Sequence, residues 1–319
     1  MNDITSSKEN TIQFLRAQNV LKSAVACPGP SISGTRSTPC GHYMILKKTK
    51  DSKDGETWRC RKAHSVVKGD LKYNVKNVKL TIRHESWLVD SKVKLELITE
   101  LIYLWSQGFT VDETMHELGL SKKTVIEWSH FFRESCFTTV MDKSEMIGGN
   151  GIEVEIDESK FGKRKYYRGH RVEGQWVFGG REKYNKKKVF MVPVKDRKKV
   201  TLMPLIKRWI RPSSIIHSDC WKAYHDIEKN GYTHVTLNHS KDFIDRKSAA
   251  CTNGIESDWR HAKVTMPRYG VHHGMHAGYL AEFMWRRLHT DDDKFLTLIN
   301  DINNAFVKKY LCGLPISVK

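Results

Sequence analysis

Ile152-Glu153-Val154-Glu155-Ile156-Asp157-Glu158 is the stretch on which the fold turns. Apolar and charged residues alternate through Ile156, the two-residue period of a strand with one buried face. The spacing predicts a strand that ends at Asp157. Working outward, residues 175–179 are short and aromatic and residues 189–194 form a nearly continuous apolar run, so each reads as a further strand. Residues 200–210 then read as a helix, 214–217 as a buried strand, 221–229 as a helix and 233–237 as a strand. A helix over 253–266 is stopped by Pro267, and another covers 276–288. Three strands followed by alternating strand and helix predict an α/β domain over residues 148–290, a mixed sheet flanked by helices.

Three acids fall where such a sheet exposes them. Asp157 follows the first strand and Asp219 follows the strand of 214–217, and sites in open α/β sheets gather at the carboxyl ends of strands. Glu256 comes 36 intervening residues after Asp219, on the helix that begins near Asn253. Lys263 follows Glu256 by two helical turns and shares its face. Such a set suits cutting or transfer of a phosphodiester, in which two Mg²⁺ (or Mn²⁺) ions about 3.5–4 Å apart neutralise the attacking and leaving oxygens. Mg²⁺ takes a few carboxylates and leaves its other positions to water or substrate. Lys263 would hold a phosphate nearby. Each acid also has a plainer reading. Asp157 and Glu158 read equally as solvated carboxylates and Asp219 as the cap of a helix starting at Trp221. Asn253 and Glu256 read as N-cap and N3 of a capping box.

Upstream, residues 27–39 are rich in Pro, Gly, Ser and Thr and read as loop. Residues 40–85 mix cysteines and histidines with short alternating strands. Over residues 91–140 the period becomes helical: Leu97, Leu101 and Leu104 recur beside Ile98, Ile102 and Trp105. Gly108 ends that helix, Thr110 and Glu113 form a capping box for a second, and Ser121 caps a third beyond the turn at Gly119. Short helices joined across a glycine turn predict a helix-turn-helix that would expose Lys122, Lys123, His130 and Arg133 toward phosphates or base edges. A plain three-helix packing unit has the same spacing.

Lys and Arg number 54 against 36 Asp and Glu, a formal net charge of +18, which attracts polyanions. No apolar run approaches the ~20 residues of a membrane span. The N-terminal residues show no secretory pattern. Seven scattered cysteines fit a reduced compartment, the nucleus of a eukaryote or the cytoplasm of a prokaryote. Lys160, Lys163, Arg164, Lys165, Arg168 and Arg171 fall close together with no acid among them, a run suited to a DNA backbone beside Asp157.

The wording around the acids resembles a known family. Glu155-Ile156-Asp157-Glu158-Ser159-Lys160-Phe161, then Lys163-Arg164-Lys165 and Arg168-Gly169, is similar to the opening of the ISXO2-like transposase domain of IS1595 insertion sequences and Merlin transposons. Ile216-His217-Ser218-Asp219-Cys220-Trp221-Lys222-Ala223-Tyr224 resembles its second block. His239 and Thr252-Asn253-Gly254-Ile255-Glu256-Ser257-Asp258-Trp259 with Lys263 resemble its third, and Tyr279-Leu280-Ala281-Glu282-Phe283-Met284-Trp285-Arg286 its closing helix.

The resemblance implies an RNase H-like fold, a DDE-type triad and a divalent metal. Asp157 and Asp219 carry over as the aspartates. Glu256 is the third ligand, with Asn253 its rival. It also implies double-stranded DNA as partner (terminal repeats and target) and a homo-oligomer that pairs two ends. A domesticated, catalytically inactive DNA-binding descendant is the alternative. Such proteins carry a zinc ribbon upstream. Cys40, Cys60 and His64 resemble its ligands, although Ser37 stands where a cysteine would complete the first knuckle. Cys27 or His42 would supply the fourth ligand. A degenerate ribbon that folds without Zn²⁺ is the other reading. The expected segments are 1–26, a ribbon-like module over 27–85, the helix-turn-helix over 91–140, the catalytic domain over 148–290 and a helical tail over 291–319.

Overall fold

A computed structural model describes residues 1–29, 31–32, 35–36, 40–68, 71–75, 78–162, 174–237, 252–267, 271 and 274–312. Contacts divide the chain into two units, Met1–Trp128 with Phe295–Lys319, and Ser129–Lys294.

The first unit gathers segments that the sequence sets apart. Helix α1 (Lys8–Ala17) is capped by the Ser7 hydroxyl. Strands β1 (Ile45–Lys48), β2 (Glu56–Arg59) and β3 (Lys79–Thr81) form an antiparallel sheet with β2 in the middle. Helices α2 (Leu95–Gln107) and α3 (Val111–Leu118) lead into α4 (Lys122–Lys143), whose first part belongs here. The helix ends are those that the sequence dictates. Gly108 and Gly119 close α2 and α3 in left-handed conformation, where a side chain would be strained. Thr110 and Glu113 make both bonds of the capping box. The Thr124 amide donates to the Ser121 hydroxyl at 3.2 Å. The final helix, α8 (Lys294–Cys312), is not a loose tail. Phe295 stacks on Phe14 with ring centroids 5.6 Å apart. Asn303 accepts from the Trp87 indole at 2.9 Å and donates to the Gln18 carbonyl at 2.8 Å.

The second unit carries the five-stranded sheet. Strand β4 (Glu153–Phe161) does not stop at Asp157 but runs on to Phe161, because antiparallel pairing with β5 (Gln175–Glu182) continues to Phe161↔Gln175. Strand β6 (Val189–Val194) pairs antiparallel with β5 at one edge. After α5 (Lys199–Trp209), strand β7 (Ile215–Asp219) lies parallel to β4, and β8 (Thr233–Leu237) parallel to β7. The order is β6-β5-β4-β7-β8. Counted within the unit this is 3-2-1-4-5 with the second strand reversed, the RNase H-like arrangement. Alternation sorts the side chains. Val154, Ile156, Phe178, Phe190 and Ile216 pack with Leu202 and Ile206 of α5 on one face. Phe161, Val177 and Met191 pack on the other with Ile255 and Trp259 of α6 (Asn253–Val264) and Leu280 and Phe283 of α7 (His276–Leu288). The helix expected over 221–229 is instead two 3-10 turns, Lys222–Tyr224 and Glu228–Asn230. Gly231, left-handed, ends the second turn. No helix among the described residues is long and apolar enough to cross a membrane.

Candidate active site

Helix α6 lies along β4 in a register that two periods produce. Two residues of strand advance about 6.6 Å; four residues of helix advance about 6.0 Å. Alternate residues of β4 on one face therefore meet every fourth residue of α6. The Glu155 carboxylate accepts the Ile255 amide at 2.7 Å. Asp157 Oδ2 accepts the Trp259 indole N–H at 3.0 Å. The Ser159 hydroxyl accepts Lys263 Nζ at 2.6 Å. Two glycines make room. A Cβ at Gly179, the strand partner of Asp157, would lie 2.6 Å from the Trp259 ring. One at Gly254 would lie 2.4 Å from the Glu155 carboxylate. Arg181 locks the helix start by donating to the Gly254 carbonyl at 3.1 Å and Asp258 at 3.2 Å, and Arg287 also holds Asp258.

Asp219 reaches the same face from the neighbouring strand. Pairing of β7 with β4 ends at His217↔Glu155. Asp219 and Asp157 each lie two residues further on, level with one another where the parallel strands part. His217 Nε2, 2.9 Å from the Glu153 carboxylate, marks the shared face. The Asp219 carboxylate accepts the Trp221 amide at 3.0 Å, which orients it and starts the turn that follows. Glu256 lies on the first turn of α6 and accepts the Thr252 hydroxyl at 3.1 Å. The expected capping box is absent. Helix α6 begins at Asn253 with Thr252 as its cap residue and no side-chain cap bond, because the Glu155 carboxylate from the sheet takes the Ile255 amide instead.

Electrostatics ties the acids together. Asp157 is pushed up from 3.8 to about 6, first by burial and then by the charges of Asp219 and Glu256, against bonds from the Glu158 amide and Trp259. Among the described residues neither Asp157 nor Asp219 makes an ion pair with Lys or Arg. Glu158, on the opposite face, is pushed up to about 7 by burial and by the charges of Asp157 and Asp219, while the Tyr224 hydroxyl donates to it. Neither Asp157 nor Glu158 is a solvated surface acid. The hard carboxylate oxygens of Asp157 and Asp219, which no Lys or Arg pairs with among the described residues, fit a divalent ion.

Residues 147–287 match the family model of the ISXO2-like transposase domain. An uncharacterised transposase-like protein of Haemophilus influenzae is 31% identical over 100 residues, 31% of this chain and 80% of that protein. The chain belongs to the ISXO2-like transposase family. A crystal structure of a pre-cleavage Mos1 transpososome aligns over 67% of this chain and 82% of that one at 10% identity, with a TM-score of 0.25.

In this family member the predicted basic residues separate. Lys122 and Lys123 are exposed on α4, with surface partners Asp112 at 3.4 Å and Glu127 at 3.8 Å. Lys160 lies on β4 with its ammonium over the Trp176 ring. Lys163, Arg164, Lys165, Arg168 and Arg171 lie outside the described residues, as does His239. Arg133 is turned inward rather than exposed like Lys122 and Lys123. Its side chain is 13% exposed, paired with Glu282 at 2.8 Å and stacked 4.0 Å over Tyr279. Helix α4 is longer than the predicted recognition helix, and this stretch of it turns inward to α7. His130 is partly buried, with its pKa lowered by that burial and then by Arg133.

The first unit holds a second constellation. Cys27, Cys40, Cys60 and His64 bring their donor atoms within 4.8 Å of one another, and no other such group occurs among the described residues. Cys40 Sγ is 3.7 Å from Cys60 Sγ, and Cys27 Sγ 3.6 Å from His64 Nε2. Tetrahedral Zn²⁺ at ordinary bond lengths gives edges of about 3.8 and 3.6 Å for those pairs. Cys27, not His42, stands in the fourth position. His42 instead places Nδ1 2.8 Å from the Cys40 carbonyl and is exposed. Burial pushes the Cys27 thiol up to about 12, and the His42 backbone bond brings Cys40 down to about 7.

Sequence reasoning missed Glu155, Gly179, Trp259 and the Arg181–Asp258–Arg287 lock. The period-two pattern contained the first, since Glu155 shares a face with Asp157. The others depend on which helix covers that face, which no local spacing reveals.

Proposed function

We propose that this chain is a DDE-type transposase that binds transposon-end DNA, cuts it and joins it to target DNA with divalent metal ions. The observation that carries the reading is the level pair Asp157 and Asp219 on adjacent parallel strands, with Glu256 near enough for its charge to raise the Asp157 pKa. Mg²⁺ or Mn²⁺, when bound, supplies charge neutralisation at phosphorus. Asp157, Asp219 and Glu256 would hold the ions, with Asn253, exposed on the same turn, as the rival third group. Trp259 fixes the Asp157 carboxylate, and Lys263, held by Ser159 two residues along the strand, presents an ammonium to a phosphate oxygen. In the first displacement water attacks phosphorus and a 3′-hydroxyl leaves. In the second that hydroxyl attacks a target phosphodiester and a target 3′-hydroxyl leaves.

Lys122, Lys123, Lys160 and the basic run from Lys163 to Arg168 would hold the backbone, the three consecutive helices α2–α4 would serve as the helix-turn-helix, and Cys27, Cys40, Cys60 and His64 would bind a structural Zn²⁺. Pairing two ends calls for at least two copies. Incubation with the flanking terminal repeats and Mg²⁺ tests the proposal. Wild type should give end cleavage and joined product. Asp157→Asn and Asp219→Asn should abolish both while DNA affinity stays within a few-fold, because Lys and Arg make most phosphate contacts. Either variant cutting at the wild-type rate would remove the triad.

A further inference from the structure

We propose that Trp221, Trp176 and Arg197 form a subsite for an unpaired nucleobase of single-stranded DNA beside the acid cluster. The inference rests on the transposase reading for its biological sense but stands on separate geometry. Trp221 follows Asp219 by two residues and is 39% exposed, an unusual place for the largest apolar side chain. It is not loosely placed. Its backbone amide donates to the Asp219 carboxylate at 3.0 Å and its indole N–H to the Arg197 carbonyl at 3.2 Å. The residue is held at its backbone and at the indole N–H while part of the ring surface stays open.

The Arg197 guanidinium carbon lies 4.7 Å from the Trp221 ring centroid and 4.2 Å from that of Trp176. Lys160, the strand partner of Trp176, sets its ammonium 5.6 Å from the same ring. Lys195, Lys198 and Lys222 are exposed on the flanking segments. Indole faces interleaved with cations are the chemistry of single-strand binding. A base stacks on the ring with little sequence preference, and the cations track its phosphates. A ring already immobilised loses little rotamer freedom on binding. Trp176 and Lys160 lie on the face of the sheet opposite Asp157, but the Trp221 amide is tied to Asp219, so the stacked nucleotide sits at the same strand ends as the metal ligands, where a strand must leave the duplex for its scissile phosphate to be reached.

The test uses the full chain and a short oligothymidylate carrying one 5-iodouracil, irradiated to couple the base to a stacked aromatic ring. The expected cross-link maps to Trp221 or Trp176. Affinity is then measured across a salt series. Trp221→Ala should weaken binding roughly 5- to 100-fold at every salt concentration with the log–log slope unchanged, because stacking is lost and no phosphate contact is. Trp221→Phe should retain most of the affinity. Arg197→Ala should flatten the slope by about 0.7, the single-strand value for one phosphate. Cross-links only to other residues, or a folded Trp221→Ala protein that binds as tightly as wild type, would overturn the subsite. The outcomes separate from those of the triad. Loss of cleavage in Asp157→Asn with no effect at Trp221 keeps the transposase and sinks the subsite. Base capture by Trp221 with an active Asp157→Asn does the reverse.

Discussion

Replacing Asp157 by Asn should make the metal-free protein more stable at pH 8. Asp157 is held at about 6 against an ordinary 3.8, a difference of about two units. At 1.36 kcal/mol per unit this is about 3 kcal/mol of unfavourable free energy in the ionised native state. The folded pKa is raised, so the native state binds the proton more tightly than the unfolded chain does. The stability this provides is fully present below 3.8 and is lost as pH rises through about 6. Asn is neutral at every pH, and its amide oxygen still accepts the Trp259 indole. The variant should therefore match wild type near pH 3.5 and exceed it by up to about 3 kcal/mol at pH 8. Glu158 is raised partly by the Asp157 charge, so its relaxation adds in the same direction.

Two units make a single unfolding free energy ill-defined, so the readout is hydrogen exchange of the β4 and β7 amides in resin-treated buffer. A strong chelator is avoided because it would reach the cysteine cluster. Added Mg²⁺ should close or reverse the gap, since a ligand that binds only the native state stabilises it by mass action. A difference that does not depend on pH, or a variant less stable at pH 8, would refute the picture of a strained carboxylate waiting for a cation.

Gly179→Ala places a Cβ 2.6 Å from the Trp259 ring, so the indole must move off Asp157. It should cost about 1–3 kcal/mol in the same exchange assay and lower end cleavage together with apparent Mg²⁺ affinity. Glu256→Gln should lose cleavage and Asn253→Ser should keep it, because hard Mg²⁺ favours a carboxylate over a neutral amide; opposite results in the cleavage assay would make Asn253 the third ligand. The purified chain should carry one zinc by elemental analysis, lost in Cys27→Ala, and chelation should lower the melting temperature of the first unit while leaving exchange in β4 unaltered.

Much of this was legible in the sequence, and the failures have physical causes. Alternation from Ile152 to Ile156 places β4, and Thr110 with Glu113 places the start of α3, because each depends on neighbours along the chain. The end of β4 does not: a strand lasts as long as its partner pairs with it, and β5 continues past Asp157. The turns after Trp221 scan as a helix, yet Asp219 takes the Trp221 amide and Gly231 closes the segment. Asn253 reads as a cap because Asn caps well, but the helix starts one residue earlier, and the Glu256 amide that the box would use donates to the Thr252 carbonyl at 3.1 Å. Arg133 scans as a surface cation, since nothing local shows that Glu282 and Tyr279 wait for it on α7.

The two aspartates meet because strand direction changes at β4. On one side β4 pairs antiparallel with β5, a hairpin that keeps it extended past the end of its pairing with β7. On the other, parallel β7 pairs with β8 as far as Asp219 but with β4 only as far as His217. Each aspartate is thus backed by a strand that continues on its far side, while the gap between them is left open. Rigid backbones on both sides of an opening are what a pair of like charges needs if it is not to relax apart, and the Asp219 charge adds to the burial that raises the Asp157 pKa. Glu256 sits on a helix docked on the sheet rather than woven into it. The Glu155–Ile255 bond and the Arg181–Asp258–Arg287 lock anchor the turn that carries Glu256, so substitution at Glu155 or Arg181 should act on metal affinity before it acts on the sheet.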